Sequence, residues 1–200
     1  MPVWGNQTVV FDSTKFVTSH GDSISLSLLK FYVSDFSQAG QQRKNVHLFD
    51  SDQPETFTWT LNGTIQQEGI SFKIGLDSAY NTSGALNGDL DPIKGMYWAW
   101  NSGYIMAKIE GISNASKALH HLVEYHIGGY KSPYNTVRNV ELSLPSLKNG
   151  TANDIYINVD LSTWFVGVDI SKLSSVVIPG EEAAHMADRY SKMCSVLKVE

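Results

Sequence analysis

The sequence predicts an all-β fold, an antiparallel β-sandwich with one short C-terminal helix, on three observations. Short apolar or alternating segments rich in β-branched and aromatic residues recur along the chain. Turn signals separate them: HGD at 20–22, LNGT at 61–64, NTSG at 81–84, NGDLDP at 87–92, NSG at 101–103 and KNGT at 148–151. One late segment changes to a helical period.

The strand segments are 7–11, 23–34, 56–61, 69–76, 103–110, 119–127, 137–144 and 154–160. In SISLSLLKFYVS, Ile24, Leu26 and Leu28 share one face and Ser23, Ser25 and Ser27 the other, which is the signature of a half-buried strand. From Gly180, apolar residues Ala183, Ala187, Tyr190, Cys194 and Leu197 recur at three- or four-residue steps. Glu181 and Glu182 stand in the first turn and Lys192 near the last, as the helix dipole favours, so a helix is expected over roughly 180–194. Cys194 is then a small buried hydrophobe.

At 200 residues and 22.1 kDa the chain fits one domain spanning 1–200. Hydrophobic residues make up 42%, which is enough to build a core and argues against disorder. The formal net charge is −5, and 15 scattered Lys and Arg are outnumbered by 20 Asp and Glu. A phosphate-backbone binder needs a concentrated basic face, so no nucleic-acid partner is expected. One cysteine excludes an intrachain disulfide and a Cys-rich zinc shell. No segment approaches the roughly 20 apolar residues of a membrane span. The MPVWGN start has no signal-peptide character and suits a trimmed mature domain as well as a natural beginning. Asn-x-Ser/Thr sequons at Asn6, Asn62, Asn81, Asn114 and Asn149 are read as chance in an Asn- and Ser-rich turn composition.

Candidate chemistry concentrates in ALHHLVEYHIGGY, 118–130. Read as a strand, it places His120, Leu122, Glu124 and His126 on one face and His121, Val123, Tyr125 and Ile127 on the other. The second set is mostly apolar and faces the core. The first presents two imidazoles and a carboxylate about 7 Å apart at the backbone, within reach of one shared ion. Imidazole suits copper, zinc and nickel. The other reading is a polar strand face in water. Gly128 and Gly129 permit a bulge or a close backbone approach. Asn87, Asp89 and Asp91 have the first spacings of a calcium loop, but Pro92 and Trp98 stand where that loop needs Gly and Glu, so an Asx-rich turn is expected. G-x-S-x-G, H-E-x-x-H, P-loop and dinucleotide signatures are absent.

Trp98 and Trp100 in GMYWAWNSGY are two apart and share a face if extended. Paired indoles are most often core, or else a binding platform. The run 84–111, GALNGDLDPIKGMYWAWNSGYIMAKIEG, with YHIGG at 125–129, resembles the MbnP-like family. LLKFYVSDF at 28–36, FKIGLD at 72–77, VDL at 159–161 and ADRYSKMCSV at 187–196 extend the resemblance over most of the chain. The resemblance implies a β-sandwich exported to the periplasm or cell surface, encoded near copper-acquisition genes, that binds copper and is not an enzyme. It implies as partner a MauG-like dihaem peroxidase that oxidises a tryptophan to kynurenine. Carried over by position, Trp98 or Trp100 is the oxidation target and His126 the copper ligand, with His120, His121 and Glu124 as further candidates. Family members carry more histidines near the first strand, in the VDL strand and at the C-terminus. Here those places hold Asp12-Ser13, Tyr156-Ile157-Asn158 and Lys198-Val199-Glu200. A metal-free extracellular binding module of the same fold is therefore the alternative. A sugar platform with Asp89 and Asp91 as acid pair is a third.

Overall fold

The computed structural model describes residues 1–38, 41–42, 45–61, 65, 69–100, 103–145 and 152–200. The turns predicted at 101–102 and 148–151, most of that at 61–64, and the sequons at Asn62 and Asn149 lie outside the described residues. In chain order the elements are β1 (Pro2–Trp4), β2 (Gln7–Thr8), β3 (Lys15–Val17), β4 (Ser23–Gln38), β5 (Gln41–Gln42), β6 (Val46–Asp50), β7 (Gly69–Ile74) and α1 (Ser78–Thr82). They continue with β8 (Tyr97–Trp98), β9 (Gly103–Ile112), β10 (Leu122–Gly128), β11 (Arg138–Ser143), β12 (Ile155–Asp160), β13 (Ser175–Val176), α2 (Glu181–Tyr190) and β14 (Cys194–Val199). Among the described residues no helix is long and apolar enough to cross a membrane.

The fold is mostly β, as expected, but its sheets are mixed. A small sheet runs β14-β12-β1-β2, and a large one runs β11-β7-β4-β9-β10-β13 with β3, β5 and β6 also on β4 and β8 on β9. β1 pairs parallel with β12, and β10 parallel with β13, so the expectation of a wholly antiparallel sandwich is corrected. One core cluster draws Val9 and Val159 from the small-sheet side and Leu29, Phe31, Ile109, Tyr125 and Ile127 from the large sheet.

Three local readings change. First, alternation in β4 holds through Ile24 and Leu26, but a register shift between Leu26 and Leu28 turns Leu28 outward and brings Leu29 into the core. A bulge inserts one residue and so flips the face of everything after it. Second, no strand forms over 56–61. Pro54–Phe57 is a 3-10 turn, with Pro near its start as its fixed φ favours. Third, the helix stops at Tyr190 and the chain re-enters as β14, antiparallel to β12. CSVLKV alternates and is β-branched, and the free edge of β12 offers its backbone a ladder that a further helical turn would forgo. α1 is a second helix the sequence reading lacked, capped by Asp77, whose carboxylate accepts from the Ala79 and Tyr80 amides. Cys194 is partly buried, and loss of hydration pushes its thiol up to about 12, in keeping with an inert side chain.

Candidate metal centre

The hairpin of β9 and β10 builds the site. Its register sets Ile112 opposite Leu122, Glu110 opposite Glu124, and Lys108 opposite His126. On β10 the expected alternation holds from Leu122 onward: Val123, Tyr125 and Ile127 are buried in the core, and Leu122, Glu124 and His126 face the other way. The row through Lys108 continues across the sheet to Lys30 on β4 and Asp50 on β6. Lys30 is held by Asp50 at 2.9 Å and Asp52 at 3.4 Å.

His126 Nε2 lies 2.7 Å from Glu110 Oε1, and Lys108 Nζ lies 3.1 Å from the same oxygen. The hydrogen bond from His126 is the main reason that the Glu110 carboxyl is held down at about 2; burial opposes it and Lys108 adds to it. Donor atoms of Glu110, Glu124 and His126 all lie within 4.8 Å of one another. The Glu124 carboxylate has no hydrogen-bond or ion-pair partner among the described residues, although it stands directly opposite Glu110. Like charges in that arrangement repel. Sequence reading found Glu124 and His126 but missed Glu110 and Lys108. The alternation of MAKIEG signals their face, but only the hairpin register brings them across from Glu124 and His126.

His120 and His121 are not brought into this group. Both are exposed and sit before β10 in a 3-10 turn with left-handed backbone, φ 56° and 58°. Histidine is one of the few non-glycine residues that accept this region. His121 Nδ1 lies 3.0 Å from the Ser116 carbonyl, a bond in which the ring must donate. The expected strand face therefore begins at Leu122, and His120 does not share it.

Trp98 packs on Gly128, two residues after His126. Along β10, Gly128 follows His126 on the same face, and a side chain at Gly128 would meet the Trp98 six-membered ring at 2.6 Å. Gly128 thus provides the close approach its sequence suggested, next to a register shift between Ile127 and Gly128. Trp98 is buried at 6% exposure, whereas Trp100 is 64% exposed. Their ring centroids are 5.5 Å apart, tilted by 43°. Trp98 also walls a cleft of about 230 Å³ together with Tyr104, Tyr130, Tyr134 and Pro179. The two motif blocks, GMYWAW and YHIGG, therefore touch.

A second histidine–carboxylate group is already satisfied. His20 Nδ1 lies 3.3 Å from Asp22 and Nε2 3.9 Å from Asp169. Asp169 also pairs with Lys172 at 2.8 Å. The calcium-like triplet divides: Asp91 accepts from the Ile93 amide in a turn, whereas Asp89 reaches β6, accepting from the Leu48 amide and facing His47 at 3.3 Å. Asn81 is buried and binds Leu76, Asp77 and Tyr104 backbone groups, which makes it structural.

The MbnP family model matches residues 1–180. The chain belongs to the MbnP family. The solved structure of MbnP from Methylosinus trichosporium is similar at 17% identity, with a TM-score of 0.54 over 85% of this chain and 76% of that one. At that identity the likeness is one of fold. The curated proteins give no match to the sequence. Two of the three places where the resemblance implies further histidines, 156–158 and 198–200, form a surface ladder here. Tyr156 pairs with Lys198 across β12 and β14, the Lys198 ammonium lies 4.1 Å from the Tyr156 ring centre, and Glu200 is 2.5 Å from that ammonium.

The donor set fits copper in one oxidation state. One imidazole and two carboxylates suit a divalent, borderline ion, whereas monovalent copper prefers thiolate, thioether and imidazole. Ligand atoms about 2.0–2.2 Å from one ion lie at most about 4.4 Å apart, so small side-chain adjustments close this group.

Proposed function

We propose that this protein is an exported, non-enzymatic copper-handling member of the MbnP family, holding divalent copper through His126, Glu110 and Glu124. The observation that carries the reading is the convergence of these donors, with Glu124 without a partner among the described residues. Copper, export to the periplasm or cell surface, and a MauG-like dihaem peroxidase partner come from the family resemblance. On this reading the tryptophan pair is the oxidation target. Trp100 is exposed and reachable by a partner, and Trp98 packs against Gly128, two residues along β10 from His126. Conversion of an indole to kynurenine adds a carbonyl and an aryl amine, which are potential ligands.

The test is calorimetric titration of the full chain with divalent copper, with a chelator competition for monovalent copper alongside. One-to-one binding of the divalent ion is expected, weakened at least ~100-fold by His126→Ala. An unchanged affinity in the variant removes His126 from the site. Absence of binding in either oxidation state leaves the second reading, a metal-free interaction module, which the Tyr156–Lys198–Glu200 filling of two of the family histidine positions supports.

A further inference from the structure

We propose that the Lys108 ammonium is a tethered cation that holds Glu110 in the metal-free protein and competes with an incoming ion for that carboxylate, so that Lys108 sets the affinity and charge selectivity of the site. This rests on the reading of Glu110, Glu124 and His126 as ligands. Lys108 Nζ is 3.1 Å from Glu110 Oε1, the same oxygen that meets His126. Its side chain is 16% exposed, so the ammonium is held against the sheet and not left in water. Its neighbour Lys30 cannot exchange roles with it, because Asp50 and Asp52 already hold Lys30.

Without Lys108, two facing carboxylates would share one imidazole. With it, the charge of Glu110 is neutralised by a group that cannot diffuse away. An incoming ion must displace that ammonium from Glu110. A monovalent ion exchanges one unit charge for another and gains little. A divalent ion brings twice the charge and can bind Glu124 as well, so it displaces Lys108 and leaves the flexible stem to carry the ammonium into solvent. His126, Glu124 and Lys30 are the other charged or titratable groups that line this face on β10 and β4.

The test compares wild type with Lys108→Met and Lys108→Arg, using zinc and divalent copper as probes. Lys108→Met is expected to bind both ions about tenfold tighter, and Lys108→Arg no tighter than wild type. In the metal-free protein, Lys108→Met is expected to raise the Glu110 carboxyl titration seen by NMR. A second readout needs no variant: metal binding to wild type should speed acylation of Lys108 Nζ by an amine-reactive reagent, followed by mass spectrometry. Equal affinity in wild type and Lys108→Met, or an acylation rate that metal leaves unchanged, overturns the tethered cation and leaves the site intact. Failure of both proteins to bind either ion overturns the site itself.

Discussion

Two histidine–carboxylate groups of this protein, those of His126 and His20, differ in what holds them. The His126 group stands on paired strands, where backbone register fixes which side chains face each other. The His20 group joins two loops, stapled by Ser19 to Phe165 and by Asp22 to the Ile170 amide. In the loop group each ring nitrogen faces a carboxylate and Asp169 has Lys172 as well. In the strand group, Glu124 is left without a partner among the described residues. Loops relax until their charges are matched. A ladder cannot slip to relieve one pair without turning a whole strand inside out, so a sheet can maintain an arrangement that awaits a ligand.

This comparison can be broken or sharpened in several ways. The largest effect is expected at the wall of the strand group. Gly128→Ala drives a methyl into Trp98 and against the Tyr104 carbonyl at 2.8 Å, and should cost about 2–3 kcal/mol in thermal unfolding with a shifted tryptophan emission. A stability within a few tenths of wild type would show that the indole does not rest on Gly128.

Acid should discriminate next. The Glu110 carboxyl is held at about 2, below its ordinary value of 4.5, so its ionised form stabilises the fold above pH 4.5. That contribution, about 2 kcal/mol for a partly exposed group, is lost as pH falls from about 4.5 towards 2. Glu110→Gln should flatten that limb of the pH–stability curve. Coincident limbs for the two proteins would mean that the His126 and Lys108 contacts contribute nothing.

Glu124→Gln separates binding from stability. Removing the charge opposite Glu110 should stabilise the metal-free protein by up to about 1 kcal/mol, while weakening divalent-metal binding about tenfold or more. Loss of both stability and affinity would instead mark Glu124 as a structural partner. The smallest effect is expected at the loop group. His20 is half exposed, and His20→Ala should change stability by no more than about 0.5 kcal/mol and leave metal affinity unchanged. A fall in affinity matching that of His126→Ala would transfer the metal centre to the loops.

Much of this arrangement was legible before any coordinates. The alternation of VEYHI placed Val123, Tyr125 and Ile127 inward and Glu124 and His126 outward, because a strand repeats every two residues. The Gly pair after His126 announced a close approach. What misled was continuity. His120 and His121 looked like an extension of that strand, but the left-handed turn ahead of Leu122 shifts them off its face. The helix looked a turn longer because Cys194 follows the α2 pattern in step, and only the open edge of β12 claimed that residue for a strand.

The sequence by itself determined the β-rich class, the inward and outward faces of β10 and the family to which the chain belongs. These follow from local periodicity, composition and motif, which are properties of neighbouring residues. Only the tertiary structure decided that Glu110 and Lys108 meet Glu124 and His126, that Trp98 lies on Gly128, and that His20 is bridged by acids from distant loops. Those contacts depend on strand register and chain crossing, and no local pattern encodes which residue of one segment will stand opposite which residue of another.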